Sequence, residues 1–160
     1  MPSTHKKVIV CKIDRDTLNG YVASSHFVVA GKLEVLNTAG NVVAIDLKEV
    51  KALYFVREFG DLGVPLRKTF PNRPRTEGLW VRLRFRDNDI MEGMMTNDLS
   101  QVDPDGFLIN PPDLRANVQR MFVPRSALSS LTVIAVIGTG KAHRRKAPPA
   151  DARQVQLFEQ

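Results

Sequence analysis

The chain says the same thing twice. Val8 to Val22 and Val81 to Met95 each read as a strand, an aspartate-bearing turn and a second strand holding an apolar-x-Gly step. Laid without gaps at an offset of 73, Asp14 falls on Asp87, Asp16 on Asp89, Leu18 on Met91 and Gly20 on Gly93. Each copy closes with one apolar spacing, Ile45, Val50, Leu53 and then Val123, Leu128, Leu131, now offset by 78 because the second copy's internal loop is longer. A duplication on this scale implies two small β-barrels in tandem, each near the lower size limit for independent stability.

The second copy alternates cleanly. Val81, Leu83 and Phe85 point to one face while Arg82, Arg84 and Arg86 point to the other, the period of a half-buried strand. Arg86 to Asp89 is a turn, and Ile90 to Thr96 returns as the next strand with Gly93 at its middle, where a bend or a close backbone approach is expected. In the first copy Val8, Ile9, Val10, Cys11 and Ile13 offer apolar groups to both faces, so this strand is covered on both sides or shifted by a bulge. Leu33–Leu36 and Val42–Leu47 form a hairpin around Asn37–Asn41, matched by Phe107–Ile109 and Val118–Val123. Lys48-Glu49 and Pro124-Arg125-Ser126 fit single helical turns that lead into final strands, Lys51–Val56 and Ser129–Ile137. The expected architecture is all-β: a first barrel at 6–57, a linker at 58–78 stiffened by Pro65, Pro71 and Pro74, a second barrel at 79–138, and a flexible basic tail at 139–160.

The run from Val81 to Met95 resembles the first motif of Sm-like (LSm) proteins: alternating apolar strand, Asp/Asn turn, apolar-x-Gly, bent second strand. Val123-Pro-Arg-Ser-Ala-Leu-Ser-Ser-Leu131 is similar to the second motif of the Hfq branch of that family. The tandem form resembles an uncharacterised bacterial family of such barrels. The resemblance implies two five-stranded Sm-like barrels over residues 6–56 and 79–137, and RNA binding as the family activity. Where Hfq carries a Tyr-Lys-His uridine contact, this chain has Pro124, Arg125 and Ser126 in one copy and Asp46 to Glu49 in the other, so only Arg125 keeps a basic group.

Charge singles out the second copy. There are 23 Lys and Arg against 17 Asp and Glu, a net +6. Leu66 to Arg86 holds seven basic residues, Arg67, Lys68, Arg73, Arg75, Arg82, Arg84 and Arg86, against the lone acid Glu77. Such clusters favour polyanions through long-range attraction. Arg82, Arg84 and Arg86 recur about every 7 Å along an extended strand, near the spacing of phosphates on a stretched nucleic-acid strand. The same row is also what a solvated strand face requires. Arg73, Arg75 and Trp80 would extend a phosphate-tracking groove, with Arg125 beside it and Lys141, Arg144, Arg145 and Lys146 as a nonspecific arm. Gln154-Val-Gln-Leu157-Phe158 resembles the short peptides that dock bacterial replication proteins on the sliding clamp, with Gln154, Leu157 and Phe158 as the anchors.

Catalytic readings find little support. His5, His26 and His143 lie at no metal-ligand spacing, and Cys11 has no partner cysteine. Gly138-Thr-Gly-Lys141 lacks the first glycine of a phosphate loop, and Asp103-Pro-Asp-Gly106 is a turn rather than a calcium loop, since the bidentate glutamate position is Leu114. No cofactor or metal is expected. The lone cysteine suits a reducing compartment, no apolar run approaches the ~20 residues of a membrane helix, and a soluble cytoplasmic protein is expected. Two functions stay open: weak RNA or single-stranded DNA binding by the second barrel and tail, or a protein-interaction module using the tail peptide or self-association through strand edges.

Overall fold

A computed structural model describes residues 5–24, 26–60, 68–98, 100, 102–112 and 117–138. The regular structure among them is all-β, with two single turns of 3₁₀ helix. The first repeat runs β1 (His5–Lys12), β2 (Thr17–Ala23), β3 (Val28–Val29), β4 (Lys32–Asn37), β5 (Val42–Asp46), a 3₁₀ turn at Leu47–Glu49, and β6 (Val50–Val56). The second runs β7 (Gly78–Phe85), β8 (Ile90–Met95), β9 (Gly106–Ile109), β10 (Val118–Pro124), a 3₁₀ turn at Arg125–Ala127, and β11 (Leu128–Ile137).

The repeat read from the sequence is a repeat of hydrogen bonds. β1 pairs β2 with Val8 opposite Gly20, and β7 pairs β8 with Val81 opposite Gly93. In the first turn Lys12 N donates to Asp16 O (2.8 Å) and Asp16 N to Asp14 Oδ1 (3.0 Å); in the second Phe85 N donates to Asp89 O (2.9 Å) and Asp89 N to Asp87 Oδ1 (3.0 Å). Arg15 and Asn88 hold the left-handed position of these turns at φ 75° and 70°. The aspartates are therefore turn builders in both copies, each carboxylate standing in for a backbone acceptor. The glycines at mid-strand answer to crowding. A Cβ on Gly20 would stand 2.5 Å from Val35 Cγ1 of β4, and one on Gly93 would overlap the side chain of Ile109 in β9, because those strands pass close by there.

The two repeats are not separate bodies joined only by a linker. β6 closes the first repeat by pairing β1, and its other edge pairs β10 of the second repeat in antiparallel register, Phe55 opposite Arg120 and Leu53 opposite Phe122. The result is an eight-stranded sheet in the order β3-β4-β2-β1-β6-β10-β9, with β5 also on β4, and a three-stranded sheet β11-β7-β8; neither closes. Packing is exchanged across this junction. Phe122 of β10 enters the first repeat's core beside Phe27 and Phe55, its ring centroid 5.1 Å from that of Phe27. In return Ile9, Ala52, Tyr54 and Val56 join Val81, Leu83, Phe85 and Met121 in the second repeat's core. A buried phenylalanine such as Phe122 contributes about 2–3 kcal/mol by leaving water.

This settles the ambiguous first strand. Val8 and Val10 face one core, while Ile9 faces the other with Cys11 and Ile13 packed against it. A register shift also falls between Cys11 and Lys12 in the pairing with β6, so both expectations for this strand hold. The segment that follows residue 67 is pinned rather than free-standing: Glu92 N donates to Lys68 O (2.6 Å), and Phe70 N donates to Glu92 Oε1 (3.1 Å). Gly93→Ala is expected to lower stability by about 1–3 kcal/mol through overpacking against Ile109. A chemical-denaturation midpoint unchanged from wild type would contradict that placement.

Candidate nucleic-acid interface

β7 presents what its alternation promised. Val81, Leu83 and Phe85 are buried, and Arg82, Arg84 and Arg86 are exposed. At the offset of 73 these arginines replace Ile9, Cys11 and Ile13 of β1 and the residue after it. In the first repeat that face is covered by the second repeat's core; in the second repeat it is open to solvent apart from the Lys68–Phe70 segment lying along β8. The cationic row therefore occupies the face that an interior repeat keeps apolar.

Its charges are partly engaged. Arg82 lies 3.6 Å from Glu92 Oε2, and Arg84 Nη2 donates to Asn88 Oδ1 at 3.4 Å. Arg86 makes no side-chain hydrogen bond or ion pair to a described residue, and its backbone N donates to Ala127 O (3.0 Å), which sets the end of the row beside the 3₁₀ turn bearing Arg125. Arg125 is held by its neighbours: Nε donates to Pro104 O (3.2 Å), and the guanidinium lies 4.7 Å from the Phe107 ring centroid. Arg73 and Arg75 are exposed and line a separate cleft of about 950 Å³ with Phe70, Met94, Pro111 and Ile137. Trp80, the expected stacking platform, is half-buried; its indole N–H donates to Glu92 Oε1 (3.2 Å) and its ring meets Phe70 edge-on. Lys141, Arg144, Arg145 and Lys146, and the peptide anchors Gln154, Leu157 and Phe158, lie outside the described residues.

Two charged residues that the sequence reading did not single out, Glu92 and Lys51, organise this surface. Glu92 is buried, yet it accepts from Phe70 and Trp80 and faces Arg82, so its charge is satisfied. Lys51 crosses from the first repeat to Asp87 Oδ2 (2.8 Å) and Asp89 Oδ2 (3.0 Å), with Phe85 beneath it at 5.0 Å, and Lys68 reaches Asp89 Oδ1 (2.6 Å). Each carried a signal, since Lys51 is the lone charge in Val50–Val56 and Glu92 the lone charge in Ile90–Met95. Partial burial alone would lower the Lys51 pKa, but hydrogen bonds to Asp87 and Asp89 outweigh it and hold the ammonium above its ordinary value. The Lys51 hydrogen bond holds Asp87 below the usual carboxylate range. For Asp89 burial pushes upward, and the bonds from Lys68 and Lys51 outweigh it, leaving it low. The Cys11 thiol, half-buried at the junction, is pushed up by desolvation. Among the described residues no three His, Cys, Asp or Glu side chains gather in a way that could hold a metal, and no helix is long and apolar enough to cross a membrane.

A family model matches residues 4–135. The chain belongs to DUF6982, a family of unknown function. The DUF6982 match takes in both repeats and most of β11, and ends ahead of Lys141. No curated protein and no solved structure matches the chain.

The junction ion pairs give a pH signature. Because Asp87 and Asp89 are depressed in the native state, their stabilisation is complete above the ordinary carboxylate range, and it fades as pH falls from about 4 through the lowered native values. The raised Lys51 makes its share fade again only above about pH 10.5. Lys51→Met is expected to cost about 1–2 kcal/mol at neutral pH, since it strands two partly buried carboxylates. The deficit should shrink as pH falls below about 4 and the aspartates take up protons. A deficit constant across the acid range in denaturant titrations would show that the cost is not electrostatic.

Proposed function

We propose that the protein is a non-enzymatic binding module of two fused Sm-like barrels, whose second repeat offers a cationic face to a polyanion, RNA or single-stranded DNA. The barrel reading is supported by the common order of each repeat: a bent strand pair across an aspartate turn, a following hairpin, a 3₁₀ turn, and a last strand that returns to the first. The observation that carries the binding reading is the substitution of Ile9, Cys11 and Ile13 by Arg82, Arg84 and Arg86 on equivalent positions. An uncovered face needs only polar groups; three cations of one sign along a strand do more, since they repel one another unless an anion lies over them. Contacts through phosphates would be sequence-tolerant, and Trp80 would contribute little stacking while its edge is held by Glu92 and Phe70.

A second reading, a protein-interaction module, is favoured by the outer edges of β5 and β11, which among the described strands pair only with β4 and β7. The tail peptide ending in Leu157 and Phe158 belongs to this reading as the element that would engage a partner such as a sliding clamp.

The polyanion reading predicts that binding of a fluorescent oligonucleotide falls steeply with salt, and that Arg82→Gln, Arg84→Gln and Arg86→Gln together reduce the slope of log affinity against log salt by about 2. Anisotropy titrations at several salt concentrations measure both. Absent binding at low salt, or a slope unmoved by the triple variant, would overturn this assignment.

A further inference from the structure

The two repeats differ at one end of their leading strand pairs. Lys7 pairs Tyr21 in the first repeat and Trp80 pairs Met94 in the second, at equivalent positions of β1 with β2 and of β7 with β8. Tyr21 is covered by Phe59, ring centroids 5.4 Å apart, and the hollow beside it measures about 140 Å³. At Met94 the chain returns as residues 70–76, and a cleft of about 950 Å³ is lined by that segment, by Met94 with Asn110, Pro111 and Pro112, and by Ile137 at the end of β11. The second repeat leaves open what the first nearly fills.

The returning segment holds two guanidinium groups at this cleft. Arg73 precedes Pro74, which keeps its backbone extended, and the Phe70 N–H is fixed to Glu92 Oε1 (3.1 Å). Pro74 is buried while Arg73 and Arg75 on either side of it are exposed and line the cleft, their Cα atoms no more than about 7 Å apart. Other arginines of the second repeat are engaged: Arg82 by Glu92, Arg84 by Asn88, Arg120 by Phe55, and Arg125 by Pro104 and Phe107. Arg73 and Arg75 make no side-chain hydrogen bond or ion pair to a described residue, and among the described residues no acidic side chain lines the cleft. Two like charges held this close on a stiff segment repel each other, and an anion between them relieves that repulsion.

We propose that this cleft binds a free nucleotide, with its phosphates on Arg73 and Arg75 and its base against the apolar lining. Arginine presents a planar fork that matches phosphate oxygens two at a time. The rest of the lining suits the other half of such a ligand. Phe70, Pro111, Pro112 and Ile137 offer apolar surface on which a planar ring can settle, and Asn72 and Asn110 carry amides that both donate and accept at a base edge. The backbone of Asn110 is already spent on Met94, N to O at 2.8 Å and O to N at 2.9 Å, so its side chain is presented from a fixed position. The volume lies near the upper end for small-molecule sites and accommodates a nucleoside diphosphate. An inorganic anion would use the arginines and leave the apolar lining wet. The row on β7 has a different use, since cations spread along an open strand suit a long backbone and a cleft suits a compact ligand.

The inference does not rest on oligonucleotide binding, because it uses other arginines and a ligand of one nucleotide, so either can fail while the other stands. Trp80 is the chain's single tryptophan and its ring meets Phe70, which lines the cleft, so its fluorescence reports occupancy. The full chain is titrated in phosphate-free buffer with adenosine diphosphate, guanosine diphosphate, pyrophosphate and the two nucleosides, and equilibrium dialysis repeats each titration without the optical readout. The expected result is saturable binding of at least one diphosphate below about 1 mM, and binding about tenfold weaker or more for pyrophosphate and for the nucleosides. Arg73→Gln with Arg75→Gln should lose about tenfold or more, whereas the variant carrying Arg82→Gln, Arg84→Gln and Arg86→Gln should keep its affinity. All five positions are exposed, and an unchanged unfolding midpoint confirms that both variants fold. No saturable binding of either diphosphate by both methods would overturn the proposal. Pyrophosphate binding as tightly as the diphosphates, or an affinity unmoved by the Arg73 and Arg75 changes, would overturn it as well.

Discussion

The fold depends on one strand pair, β1 with β6, being buried on both faces. A small β-repeat of this kind has few residues with which to build an independent core. Here the problem is met by sharing: Phe122 completes the first core and Ile9, Ala52, Tyr54 and Val56 complete the second. Backbone pairing of β6 with β10 fixes the register of that exchange, because a slip of one residue would turn Phe122 out of the core. The linker then matters less than its length implies, since the joint is made of sheet.

Charge is placed according to the same division. Lys51 sits at the rim of the shared sheet, and it is tolerated there because the Asp87 turn, built for a local backbone purpose, also supplies acceptors. The equivalent Asp14 turn keeps its local bond and has no such partner among the described residues. Glu92 does for the segment at Lys68–Phe70 what Lys51 does for the junction: one charge inside an apolar strand gathers partners from elements distant in sequence, donors for Glu92 and acceptors for Lys51.

Much of each repeat was legible beforehand, because its signals are local. The aspartate turns, the crowded glycines, the 3₁₀ turns after Asp46 and Pro124, and the alternation of β7 are each written in a few adjacent residues. The joining of the repeats was not, because edge pairing uses backbone groups that every residue has. Its only trace was the two-sided apolarity of Val8 to Ile13, which was open to two explanations. The short β3 was also missed: Val28 pairs with Leu33 and Val29 with Lys32 across a turn at Ala30 and Gly31, too brief to show a period. For the candidate surface, the arginine row was readable, whereas the engagement of Arg82 by Glu92 and of Trp80 by Phe70 depends on where the chain returns after residue 67.

The replacement of Ile9, Cys11 and Ile13 by arginines has a thermodynamic consequence. A charged side chain in place of Ile9 would stand unpaired inside the shared core, whereas an apolar one in place of Arg84 or Arg86 would only lie on an exposed face. The two repeats are therefore no longer interchangeable: folding holds the first to its residues on this face and leaves the second free to change them without unfolding the chain.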